Sequence, residues 1–178
     1  MNPSDIIPLP DMKLFNKGLT PVTAGQMIKW LGVPGPLTPN CSPPTGAFAA
    51  HVVRHVSASV LIVTGYGAAV KLLQDALNDA ATQVRDAFNG LETAGMLCVR
   101  SRRGNTKLYS NHSWGCAIDL YYGKDVVPQG VRKCHRGLVA LAPFMNKHGW
   151  YWGAGFSGKS VDSMHFELAA ETMARIHG

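Results

Sequence analysis

Cys116-Ala117-Ile118-Asp119-Leu120-Tyr121-Tyr122 alternates apolar and ligand-type side chains with the two-residue period of a β-strand. Cys116, Ile118 and Leu120 fall on one face and suit a core. Ala117, Asp119 and Tyr121 fall on the other, so Asp119 is turned outward beside a small residue. Met164-His165-Phe166-Glu167-Leu168 repeats the pattern. It sends Met164, Phe166 and Leu168 inward and turns His165 and Glu167 towards a second surface. Two separate segments therefore each set a metal-ligand residue type opposite an apolar face.

His112 lies seven residues before Asp119, and Gly115 between them permits a turn that folds the chain back. Asp162 lies three residues before His165, out of phase with the strand, which places it on the loop leading in. Two imidazoles and a carboxylate, with an open position for water and a second carboxylate nearby, are what a zinc hydrolase needs. A lone His is more often structural, so spacing alone leaves the metal reading and the bland one both open.

Further out, Thr20-Pro21 predicts a short helix reaching Leu31, with Thr20 as cap and Gly32 as stop. Residues 1–19 read as extended and irregular, and residues 33–46, with five prolines, as a loop or linker. The Val- and Ala-rich stretch 48–66 holds a buried strand or a buried helix, which period does not separate. Val70, Leu73, Leu77, Ala80, Val84, Phe88 and Leu91 form one stripe of a long amphipathic helix ending near Gly95. Met96 to Arg102 and 149–152 read as strands, and 137–148 and 169–176 as helices. The class expected is α+β, with an antiparallel sheet and helices packed on one face. Two units are expected: an N-terminal extension over 1–46 and a catalytic domain over 47–178.

The chain has 178 residues, 46% of them hydrophobic, and a net charge of +6. Its mean hydropathy is +0.01 and its pI about 9.3. That reads as a soluble globular protein, without the roughly 20-residue apolar run of a membrane span. Residues 1–17 lack the layout of a secretory signal peptide. The basic balance favours an anionic partner, yet no nucleic-acid reading motif is present. Cys41, Cys98, Cys116 and Cys134 form no CxxC pair, and free buried thiols are expected at Cys98 and Cys116. His51-Val52-Val53-Arg54-His55 has zincin spacing, but Val stands where that motif needs Glu. Trp114, Trp150 and Trp152 suit a substrate groove or a core equally.

Ser110-x-His112-x-x-Gly115-x-Ala117-x-Asp119, followed by Asp162-x-x-His165, resembles the paired motifs of a zinc metallopeptidase family. That family comprises D-alanyl-D-alanine carboxypeptidases and L-alanyl-D-glutamate endopeptidases, with the Hedgehog/DD-peptidase fold. The resemblance runs over roughly residues 60–170. It implies zinc held by His112, Asp119 and His165, with Asp162 as general base. It implies a substrate-binding or charge-stabilising arginine at Arg100, a role that Arg102 or Arg103 could fill instead. It implies that the substrate is the peptide stem of bacterial peptidoglycan. The expected setting is a phage endolysin with L-alanyl-D-glutamate endopeptidase activity. Such a lysin is a monomer made in the host cytoplasm that reaches the wall after holin release, with neither nucleic acid nor membrane insertion involved. The alternatives are a D-Ala-D-Ala carboxypeptidase and a non-catalytic, zinc-containing wall-binding domain.

Overall fold

The alternation at 116–122 and 164–168 becomes two neighbouring strands of one sheet. The computed structural model describes residues 2–178. In chain order the elements are β1 (Ile6–Pro8), α1 (Ala24–Leu31), β2 (Val52–Ala58), β3 (Leu61–Tyr66), α2 (Gly67–Gln83), β4 (Leu91–Gly95), β5 (Ser101–Arg102), β6 (Asn105–Tyr109), β7 (Ala117–Tyr122), β8 (Lys133–His135), α3 (Arg136–Lys147), β9 (Trp150–Trp152), β10 (His165–Leu168) and α4 (Ala170–His177). The class is α+β. The principal sheet has the order β4-β7-β10-β9, and each neighbouring pair is antiparallel. Three two-stranded ribbons, β1-β8, β2-β3 and β5-β6, surround it.

Ile118, Leu120, Phe166 and Leu168 are all fully buried, as the alternation predicted. Trp114, Trp150 and Trp152 are also fully buried, which settles them as core and not groove. Trp152 stacks on Phe166 at 5.9 Å between ring centroids. Each such side chain contributes about 1.5–3 kcal/mol by leaving water. Helix α3 packs on β9 and β7, and α2 packs on α3. Val70, Leu73, Leu77 and Ala80 supply the buried stripe of α2.

Five local expectations change. The stripe read as one helix to Gly95 breaks at Gln83. Val84 leaves helical angles at φ −128°, and Leu91 is instead in β4, opposite Tyr122. Its three- and four-residue spacing persists although the chain has changed structure, because pairing with β7 outweighs helical period. Helix α1 starts at Ala24, not at Pro21: Thr23 caps it, accepting from the Gln26 amide at 3.2 Å while the Gln26 side chain accepts from the Thr23 amide at 2.9 Å. Most of Met96 to Arg102 is irregular, and only Ser101–Arg102 is strand. Cys98 is not a free thiol: it is bonded to Cys41, with the Cα atoms 5.1 Å apart, leaving Cys116 and Cys134 as buried free thiols. Met164, expected inside, is only partly buried and lies in the cleft described below.

Residues 2–46, the described part of the segment read as an extension over 1–46, share the core of the rest. Strand β1 pairs with β8, and Val22, Ala24 and Met27 are buried in the same apolar cluster as α2 and the sheet. No helix is long and apolar enough to cross a membrane among the described residues.

Candidate metal centre

Antiparallel pairing of β7 and β10 sets Asp119 directly opposite His165. His112 arrives from a single 3-10 turn, Asn111–Trp114, which ends at Gly115 with φ +58°. That left-handed angle suits glycine, and a Cβ there would lie 2.6 Å from the Gly65 Cα. The turn therefore docks against β3, and the Tyr66 amide donates to the Gly115 carbonyl at 3.2 Å. Gly153 is similarly confined, because a Cβ would lie 2.6 Å from the Asp162 carbonyl oxygen.

His112 Nε2 lies 3.2 Å from Asp119 Oδ1, and His165 Nδ1 lies 3.1 Å from the same oxygen. One ligand atom from each of the three residues lies within 4.8 Å of the others. The two far nitrogens are already engaged. His112 Nδ1–H donates to the Met96 carbonyl at 3.0 Å, and His165 Nε2–H donates to Glu167 Oε2 at 2.9 Å. These acceptors orient the two rings, so that His112 Nε2 and His165 Nδ1 both face Asp119. Two imidazole nitrogens and a carboxylate oxygen, closely spaced and backed by hydrogen bonds, form a donor set that fits a zinc ion, which would take the place of any proton on the nitrogens facing Asp119.

The charges around this cluster favour a cation. Burial opposes charge on Asp119, but His112 and His165 outweigh it and hold the carboxyl well below its ordinary range. Burial likewise disfavours a charged His165, yet Asp119 and Glu167 push it up to about 10. Burial pushes the Asp162 carboxyl above its ordinary value despite the pull of His165. Asp162 Oδ1 is buried with no hydrogen-bond partner among the described residues. It is thus free to take a proton.

These groups floor a cleft of about 820 Å³. Arg100, Arg102 and Arg103 all line it, so each of the three candidate arginines is present. The Arg100 backbone is pinned by Ser113, whose Oγ accepts from the Arg100 amide at 3.1 Å and donates to its carbonyl at 2.9 Å, while the guanidinium groups of Arg100 and Arg102 donate to the Ser101 and Tyr109 carbonyls at 3.0 and 3.1 Å. Burial and Arg103 disfavour the Arg100 charge, whereas Asp119 and Asp162 favour it. Ser110 is in the lining, and its amide donates to the Arg100 carbonyl at 3.0 Å. Phe156 adds an apolar wall, with its ring 5.9 Å from that of His165.

Asn111, Ser113, Phe156 and the Met96 carbonyl were not singled out from the sequence. Asn111 and Ser113 flank His112, and their position inside the motif was the available signal. The pair His51 and His55 is apart from the cleft, as is buried Cys134. Burial pushes the Cys134 thiol up to about 11, and burial then Glu167 push Cys116 up as well, which leaves both poor nucleophiles. A smaller pocket of about 250 Å³ beside Cys41 lies away from the ligand cluster.

No curated protein and no solved structure matches this chain. Residues 103–168, however, match a family model described as D-alanyl-D-alanine carboxypeptidase. That segment carries His112, Asp119, Asp162, His165 and Glu167, so the match supports a peptidase.

Proposed function

We propose that this chain is a zinc peptidase that cuts the peptide stem of bacterial peptidoglycan. His112, Asp119 and His165 hold the metal, and Asp162 is the general base. The observation that carries this reading is the convergence of His112 Nε2, His165 Nδ1 and Asp119 Oδ1, within the segment that matches the peptidase family. A sheet that carries two of the ligands on adjacent strands also agrees with a Hedgehog/DD-peptidase-like fold.

Zinc in a three-ligand site supplies Lewis acidity and makes water nucleophilic near neutral pH. The protein's own groups do the rest. Asp162, unpartnered at Oδ1, accepts the proton of the attacking water and passes it to the departing amine. Arg100, which lines the cleft, stabilises the charge that develops on the carbonyl oxygen. Phe156 and Met164 close the apolar side of the cleft. The Met96 carbonyl and Glu167 keep the two imidazole rings from turning.

The scissile bond we assign is that between L-alanine and D-glutamate, as in an endolysin released through a holin pore. The motif resemblance and the net charge of +6, suited to an anionic envelope, support it. The description of the matching family favours a second reading, removal of a terminal D-alanine. Mass spectrometry of products from purified peptidoglycan separates the two. New N-terminal D-glutamyl peptides support the endopeptidase, and released D-alanine supports the carboxypeptidase. Absence of any cleaved stem with zinc supplied would leave only a wall-binding role.

A further inference from the structure

Glu167 is a carboxylate that is only 4% exposed. Among the described residues it meets no lysine or arginine; its one ionisable partner is His165. Taking a carboxylate out of water costs several kcal/mol unless hydrogen bonds and charge offset it. Here a single oxygen, Oε2, receives both the His165 Nε2–H at 2.9 Å and the Asn111 amide at 2.8 Å. Asn111 is 3% exposed, and its Nδ2 also lies 3.3 Å from the Val22 carbonyl. His112, by contrast, is held by a neutral backbone carbonyl. A carbonyl therefore suffices to orient one imidazole of this pair. The other is given a buried charge with its own support.

We infer that Glu167 is a positioning residue that fixes His165 with Nδ1 towards Asp119, and that Asn111, pinned by the Val22 carbonyl, holds Glu167 in place. This rests on the proposed ligand set. It makes neighbouring residues serve opposite imidazoles: His112 faces the ion, while Asn111 braces the support of His165. It also makes residue 22 part of the metal centre, so the N-terminal segment completes the site. A carboxylate on the far nitrogen both sets the tautomer and makes the ligand more basic, which strengthens metal binding.

The test is zinc affinity of the full-length chain by chelator competition, with melting of the metal-free protein measured alongside. Glu167→Gln keeps an acceptor but removes the charge, and should weaken zinc binding by about 10–100-fold. Asn111→Ala should weaken it in the same direction by less. The visible spectrum of the cobalt-substituted Glu167→Gln protein should shift, because the geometry at His165 relaxes. Zinc affinity within twofold of wild type in Glu167→Gln overturns the inference. So does a fall in metal-free melting temperature with affinity and cobalt spectrum unchanged, which marks an ordinary fold contact. If Glu167→Gln does not fold, Asn111→Ala decides by the same two readouts. Wild-type protein that takes up no zinc defeats the ligand assignment itself, and this inference with it. Normal wild-type uptake with an indifferent Glu167→Gln defeats only the inference.

Discussion

Strands β7 and β10 and the N-terminal segment, residues 2–46, are held in the same molecule by different means. In the strands, Ile118, Leu120, Phe166 and Leu168 form a buried apolar face, and cross-strand register alone brings Asp119 opposite His165. The N-terminal segment has its own apolar anchors in the core, but isolated polar side chains also tie it to distant partners. Asn16 Nδ2 donates to the Trp152 carbonyl at 2.9 Å, and the Trp152 amide donates back to Asn16 Oδ1 at 2.8 Å. Thr20 donates from its amide and its hydroxyl to Glu171, at 2.8 and 2.7 Å. The straps end on the strand and helix that flank β10. The difference shows that a site can be laid out by a periodic pattern and still be held together by single contacts that have no period.

The largest expected effect breaks the chemistry and spares both regions. Asp162→Ala should lower turnover by about 10²–10⁴-fold while zinc content stays at the wild-type level. Unchanged turnover would remove Asp162 as the base. The next effect asks whether the N-terminal segment is truly part of the core. Met27 is fully buried, and Met27→Ala should cost about 2–5 kcal/mol in denaturant unfolding. A cost below about 0.5 kcal/mol, the range of ordinary surface changes, would show that the segment rides on an independent domain.

Smaller effects sharpen the strap. Asn16→Ala should lose about 1–3 kcal/mol by leaving the Trp152 backbone groups unpartnered. Asn16 has φ +54°, so Asn16→Gly should cost less than Asn16→Ala. Equal melting temperatures for the two would contradict that ranking. Thr23→Ala should cost about 0.5–2 kcal/mol through the lost cap of α1.

The smallest effect is on pH dependence. Burial nudges Glu171 up, but its hydrogen bonds from Thr20 outweigh this and hold the carboxyl below its ordinary value. A group depressed in the folded state stabilises above its unfolded pKa, about 4.3 for Glu, and loses that contribution as pH falls through the folded value. Glu171→Gln should therefore flatten the acid limb of the melting-temperature profile slightly. A profile that overlays wild type would show that the Thr20 contact carries no stability.

The legible part of the fold follows the same division. Asp119, His165 and Glu167 were placed on one side of two strands by alternation, and the pairing of β7 with β10 brings them together. The α2 stripe was legible as far as Ala80. Beyond it, Val84, Phe88 and Leu91 kept the spacing by coincidence, with no proline to mark the break at Gln83. The true cap of α1 was hidden behind Thr20-Pro21, an equally good signature three residues earlier. The bond between Cys41 and Cys98 spans 57 residues and leaves no local trace. Asn111 is the same kind of case at the site. Its role depends on Glu167, 56 positions away, and on Val22, 89 positions away.

The central claim is that two imidazoles and one carboxylate share a single zinc ion. Zinc content of the purified wild-type chain, and of His112→Ala, Asp119→Ala and His165→Ala dialysed in parallel, tests it most directly. The account predicts one zinc per wild-type chain and its loss from each variant. Any one of the three variants retaining a full equivalent at wild-type affinity would contradict it.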